Sequence, residues 1–179
     1  EQQSIAYADA DFGTSNQLFV DSLVRDFPSQ LRAVVDIGCG PADVVIRLAR
    51  AAPSATIIAI DGSAPMIELG RIAVRAAGVE NRLTLLHTRI PGPPPDARSF
   101  DAVLSKDLLH HLPDDVTRDV LREARRLLVP GGRVLVMEDI PAISKLNLIG
   151  HLIHHIENGE HIRPQADYRR LFDEFFKVE

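Results

Sequence analysis

VVDIGCGPAD, residues 34–43, decides how the rest of this chain is read. An apolar run carrying one acid, Asp36, meets Gly38-Cys39-Gly40, and an amphipathic stretch opens near Asp43. Without a Cβ, Gly38 and Gly40 let the backbone turn sharply and come within van der Waals distance of a ligand. The spacing predicts a buried strand, a tight loop and the start of a helix, with a nucleotide-like ligand over the turn.

Working outward, short apolar runs alternate with amphipathic stretches. The runs are Ala33–Ile37, Thr56–Ile60, Leu83–Leu86, Ala102–Leu104 and Val134–Met137, and the helix candidates are 43–51, 64–77 and 114–128. Runs that are apolar throughout suit strands covered on both faces, so the expected fold class is α/β: a Rossmann-like, doubly wound, mostly parallel sheet. Pro130-Gly131-Gly132 reads as a helix stop followed by a turn, and PGPPPD at 91–96 as a loop. Leu18, Leu23, Val24 and Phe27 stand at near-helical spacing ahead of Pro28, so a helix is expected before the first strand. After residue 140 the pattern changes: 143–157 and 165–174 read as helices, and 175–179 as the start of a strand. A final antiparallel strand, if the fold has one, is expected to lie outside these residues. The organisation expected is one domain over 1–179: an N-terminal helical segment (1–29), a cofactor-binding core (30–140), then substrate-side helices and the start of a sixth strand (141–179).

The loop also limits its ligand. A dinucleotide fingerprint places a third glycine where this chain has Asp43, and a carboxylate there sits badly against a pyrophosphate at a helix N-terminus. Asp36 adds a second carboxylate, suited to receive hydrogen bonds from an ammonium group, directly or through water. Asp61 ends the second run, about 20 residues on, where an acid can accept both hydroxyls of a ribose. S-adenosylmethionine carries an ammonium and a ribose and has no phosphate. On the plainer alternative, Asp36 and Asp61 only cap turns.

Composition narrows the partners. The net charge is -5 with a pI of about 5.8, so no positive field gathers phosphates, and the aromatic share of 5% leaves little to stack single-stranded bases. Nucleic acid is disfavoured. No apolar stretch approaches the roughly 20 residues of a membrane span, no secretory signal opens the chain, and Cys39 is the lone cysteine, so a cytoplasmic protein is expected.

Four segments in order resemble the class I S-adenosylmethionine-dependent methyltransferases, in particular the group that includes the ubiquinone/menaquinone-biosynthesis enzymes and many small-molecule methyltransferases. VVDIGCGPAD is similar to their first motif, AIDGSAPMI to the second, SFDAVLSKDLLHHLPD to the fourth-strand motif and LLVPGGRVLVMED to the segment around strand five. The resemblance implies that Asp36, Gly38, Cys39 and Gly40 line the methionine and ribose portions of the cofactor and that Asp61 grips the ribose. It implies Gly62 and Met66 against the adenine, the backbone of Lys106 against the methionine moiety, and Tyr7 in a segment closing over the cofactor. Many relatives place an acid after strand three to receive the adenine amino group, and Arg89 stands there. Arginine accepts no hydrogen bond. Thr88 or a backbone carbonyl takes that role, or Arg89 stacks on the ring or points away, with Ile90 as an apolar edge contact.

Methyl transfer from a sulfonium needs alignment and exclusion of water more than it needs a base. Candidates for a base at the carboxyl ends of strands four and five are Asp107, His110, His111, Glu138 and Asp139, with His110 and Asp139 preferred and one of the paired histidines expected to pack beneath the loop. His151, His154 and His155 share one helical face, and the i, i+4 pair His151 and His155 has metal-ligand spacing but no third ligand, so no metal is expected. That face reads as a solvated polar surface or as a wall of the substrate pocket, which His161 and Arg163 extend, Arg163 toward an anionic substrate group. The partner expected is a small-molecule methyl acceptor, with S-adenosylhomocysteine as product, no nucleic acid and no membrane; a homodimer stays open. Two other readings compete: a nicotinamide-dependent oxidoreductase, and a non-catalytic binding module on the same fold.

Overall fold

A computed structural model describes residues 12–27, 31–90, 99–141 and 160–178. The elements are α1 (Gly13–Asp26), β1 (Ala33–Ile37), α2 (Asp43–Ala51), β2 (Thr56–Asp61), α3 (Ala64–Ala77), β3 (Leu83–His87), β4 (Phe100–Lys106), a 3-10 turn (Leu109–His111), α4 (Asp114–Leu127), β5 (Leu128–Met137) and α5 (Gln165–Asp173). All five strands are parallel, in the order β3-β2-β1-β4-β5. The order reverses between β1 and β4, and the crevice above that point is where open α/β sheets place ligands.

Side-chain alternation sorts the core into two layers. Val34, Ile57, Ala59, Ala102 and Leu104 face α1, α2 and α3, which supply Phe19, Val20, Leu23, Val45, Leu48 and Ile67. On the opposite face Val35, Ile60 and Val103 pack on α4 and α5 through Val120, Leu127 and Tyr168. Asp36 pairs with Leu104 in register, so Asp36, two residues beyond Val34, and Lys106, two beyond Leu104, lie on the α1/α2 side at the carboxyl edge of neighbouring strands.

Local chemistry fixes the helix ends. Ser63 caps α3 ahead of Pro65, and Gly78, at φ +66°, closes it in the left-handed conformation. Asp114 and Asp115 open α4 and Arg125 and Arg126 end it, complementing the helix dipole. Among the described residues, no helix is long and apolar enough to cross a membrane.

Two expectations change. Pro130-Gly131-Gly132 is not a turn ahead of the strand: β5 begins directly after α4, and these residues form an irregularity inside it, between the Phe100–Leu128 and Ala102–Arg133 pairs. Gly132 is required there because a Cβ would stand 3.0 Å from the Asp101 carbonyl oxygen and 3.1 Å from that of Phe100. Residues 175–178 start no strand: α5 runs into a turn held by Phe175 and Phe176 N–H groups on the Phe172 carbonyl. The helix expected over 143–157, with His151, His154 and His155, lies outside the described residues, as does Tyr7.

Candidate functional site

A cavity of about 590 Å³ opens above the β1/β4 edge, within the size range of small-molecule sites. The β1–α2 loop forms its floor. Gly38 and Gly40 adopt φ +82° and +51°, and a Cβ on Gly40 would meet nothing within 4 Å, so the loop presents bare backbone to open space. Its own donors are taken. The N–H groups of Gly38 and Cys39 both donate to the Ile60 carbonyl (2.8 and 3.0 Å), that of Gly40 to Asp61 Oδ2 (2.8 Å) and that of Ala42 to the Cys39 carbonyl (3.0 Å). Pro41 has none. Phosphate loops hold their anions by such free N–H groups, so this loop is not built as one.

Carboxylates line the same space. Asp36 is 2% exposed and accepts no hydrogen bond from any described residue. Burial, and secondarily the nearby Asp61, push it up to about 7. Asp61 ties the loop to β2: Oδ2 accepts from Gly40 and Oδ1 from the Ser63 N–H at 2.7 Å. A carboxylate has about four lone-pair sites, so this turn-capping role leaves acceptor capacity facing the cavity. Burial pushes the Cys39 thiol up, leaving it a small neutral wall residue. Asp43, at the first position of α2, accepts from Asn16 of α1 at 2.9 Å and from Arg47 Nε at 2.7 Å. A carboxylate thus fills the helix start that a pyrophosphate would use, and its partners lock α1 over the cavity.

The other end of the cavity is built by β4 and the 3-10 turn. Lys106 ends β4, 9% exposed, with its ammonium on the Asp107 carboxylate and 5.7 Å from the centroid of the Phe12 ring. Asp107 has φ +54°, a left-handed conformation that is strained for a residue with a Cβ. Burial pushes its carboxyl up, against the pull of Lys106. Glu138, just after β5, secures the turn beyond Asp107: Oε1 accepts from the N–H groups of Leu108 and Leu109 (3.0 and 2.7 Å), and Oε2 from the His110 N–H (3.3 Å). His110 Nδ1 lies 2.8 Å from the same Oε2. Burial would lower the His110 imidazole, but Glu138 beside it prevails and raises it.

Asp36, Gly38, Cys39, Gly40, Asp61, Met66, Lys106 and Asp107 therefore meet around one cavity. His110, the preferred base, does not reach it: its ring is buried behind the wall, clamped by Glu138, and His111 stands on the cavity instead. Asp139 is half-buried beyond β5 and off the cavity lining. Gly62 and Arg89 lie together at the β2/β3 edge, where a Cβ on Gly62 would come within 3.0 Å of Arg89 Cγ; the arginine covers the face implied for adenine. Ile90 packs against the α4 side of the core rather than lining the cavity. Arg163 is not available to a substrate anion, because its five donors go to Asp114 and to the carbonyls of Leu109, Leu112 and His161. Phe12, Asn16 and Arg47 also line the cavity, and sequence pattern did not single them out, although the i, i+4 spacing of Asp43 and Arg47 signals their pairing.

Residues 34–132 match the family model described as a methyltransferase domain. The chain is similar to demethylmenaquinone methyltransferase of Bacillus subtilis (strain 168), 38% identical over 105 residues, covering 58% of this chain and 44% of that protein. It is also similar to 27-O-demethylrifamycin SV methyltransferase of Amycolatopsis mediterranei (strain S699), 36% identical and covering 56% and 36% of the two chains. The chain thus spans less than half the length of these curated relatives. The crystal structure of the S-adenosylmethionine-dependent methyltransferase SibL superposes with a TM-score of 0.73 at 26% identity, covering 92% of this chain and 50% of that one. With more than half of its length matched by the family model and the doubly wound sheet in place, the chain belongs to the methyltransferase-domain family, of the class I S-adenosylmethionine-dependent type.

Proposed function

We propose that the protein transfers a methyl group from S-adenosylmethionine to a small organic acceptor. One observation carries this reading: Asp36 is a buried acid that accepts no hydrogen bond from any described residue, set in the wall of a cavity whose glycine loop offers no free N–H. Such a site is unsatisfied until a cation arrives and gives a diphosphate nothing to bind. An ammonium on Asp36 and ribose hydroxyls on Asp61 fit the donor and acceptor pattern present, while Gly38 and Gly40 permit close approach. The relatives named for demethylmenaquinone and 27-O-demethylrifamycin SV support an organic acceptor of modest size.

Bound S-adenosylmethionine supplies a methyl group on a positively charged sulfur. The chain's residues do the rest: Asp36 and Asp61 hold and orient, α1 with Phe12 shields the cavity from water, and Asp107 and His111 stand where an acceptor enters. A nicotinamide-dependent oxidoreductase is disfavoured by the same loop, whose donors all point inward.

Calorimetry with S-adenosylhomocysteine and with NADH separates the readings: the first is expected to bind and the second not. Asp61→Ala is expected to weaken S-adenosylhomocysteine by about 1–3 kcal/mol, through loss of hydrogen bonds to a charged group. Binding of NADH in preference, or unchanged affinity in Asp61→Ala, overturns the assignment.

A further inference from the structure

The cavity has two ends of opposite character. At the loop end, Asp36 and Asp61 line the same wall, and burial and mutual repulsion make the ionised form of Asp36 costly there, a cost that a cation would relieve. At the β4 end stands an ammonium. Lys106 is nine-tenths buried, lines the cavity and makes one hydrogen bond among the described residues, to Asp107. An ammonium has three donors, so two remain, and a buried donor without an acceptor costs free energy. The Phe12 ring, 5.7 Å from Nζ, attracts the charge without accepting those hydrogen bonds in full. Leu108 and Phe12 add an apolar wall beside the ammonium, and His111 stands at its rim.

We infer that Lys106 selects the methyl acceptor, binding an aromatic or enolic hydroxyl as its oxyanion, with the flat apolar body of the acceptor against Phe12 and Leu108. The inference rests on the methyltransferase reading and adds the substrate class to it. The acid–base step balances within the site. The acceptor O–H bond breaks, its electron pair stays on oxygen beside the Lys106 ammonium, and the proton passes to the Asp107 carboxylate. Asp107 is suited to hold that proton, since burial raises its affinity for one, with Glu138 and Asp139 adding to the effect and Lys106 opposing it. A neutral aliphatic alcohol gives the ammonium no comparable partner, and an amine acceptor is repelled by it.

The test uses the purified protein saturated with S-adenosylhomocysteine and titrated with 4-nitrophenol, whose ionised form is read directly by visible absorbance. Bound probe is expected to be ionised at a pH where free probe is mostly neutral, its pKa lowered by about one unit or more, as a neighbouring positive charge does. In Lys106→Met, saturated with S-adenosylhomocysteine like the wild type, the ionisation is expected to return to that of free probe and the affinity to fall about tenfold. Removing the ammonium leaves Asp107 without its ion pair, so the titration is repeated on Lys106→Gln combined with Asp107→Asn, which is expected to lose the ionisation in the same way.

Wild-type protein that binds the probe in its neutral form, or not at all, overturns the inference whatever the variants do. A lysine variant that loses S-adenosylhomocysteine binding while remaining folded assigns Lys106 to the cofactor's carboxylate instead and also overturns it. Failure of wild-type protein to bind S-adenosylhomocysteine is a separate result, which sinks the methyltransferase reading itself.

Discussion

Asp36 combines the greatest burial with the least satisfaction of any acid in the site, and its titration is where that shows. Its folded value of about 7 lies above the ordinary 3.8, so the native state holds a proton that the unfolded chain has released. By linkage, stability therefore falls as pH rises from about 4 to about 7 and is then level. Asp36→Asn is expected to remove that fall, and thermal melts of both proteins at pH 5 and pH 8 check it. A cationic ligand favours the ionised acid, so S-adenosylhomocysteine binding below pH 7 is expected to release a proton, detected by calorimetry in buffers of different ionisation enthalpy; Asp36→Asn abolishes the release. Ala42 shows strain of another kind. It is buried at φ +72° as the N-cap of α2, a conformation that costs an L-residue roughly 1–2 kcal/mol. Ala42→Gly relieves it, less the entropy the freer unfolded chain gains, for an expected net stabilisation of about 0.5–1 kcal/mol in denaturant unfolding.

At the scale of elements, β4 and β5 form the Lys106 end of the cavity by a division of labour. β4 delivers Lys106 and Asp107 to the carboxyl edge, while Glu138, arriving from β5, holds three successive N–H groups of the turn beyond β4. The sequence pattern located both strands and named Glu138 among the acids at their ends. It did not show which histidine faces the cavity, because Glu138 turns His110 inward and leaves His111 at the rim, and that depends on a contact between residues 28 positions apart. The irregularity in β5 was equally hidden: Pro-Gly-Gly signals a turn locally, yet the Phe100 and Asp101 carbonyls show that the segment lies against β4. Gly132→Ala is expected to destabilise the fold by about 1–3 kcal/mol, since the methyl group meets two backbone carbonyl oxygens of the neighbouring strand at about 3 Å. Equilibrium unfolding measures this, and a change under about 0.5 kcal/mol, the ordinary range for a surface substitution, contradicts the packing described.

For the whole molecule, the prominent consequence is coupling between folding and ligand. A site that buries a carboxylate unpaired among the described residues and holds Asp107 in a strained conformation is expected to be less stable empty than occupied. S-adenosylhomocysteine at 100 times its Kd is expected to add about 2.7 kcal/mol, a rise in melting temperature of roughly 5–10 °C, and no rise at that concentration contradicts the assignment. The sequence alone determined the alternation of strands and helices, the glycine loop and the acids at the ends of the first two strands, because each is written in residues adjacent along the chain and in periods of 2 and 3.6. Only the tertiary structure decided that the loop's donors are already taken, that Arg163 is enclosed, and that Lys106 and Phe12 meet beneath α1. Those facts depend on which residues come together across the sheet, and the geometry of packing and the competition for hydrogen-bond partners settle that.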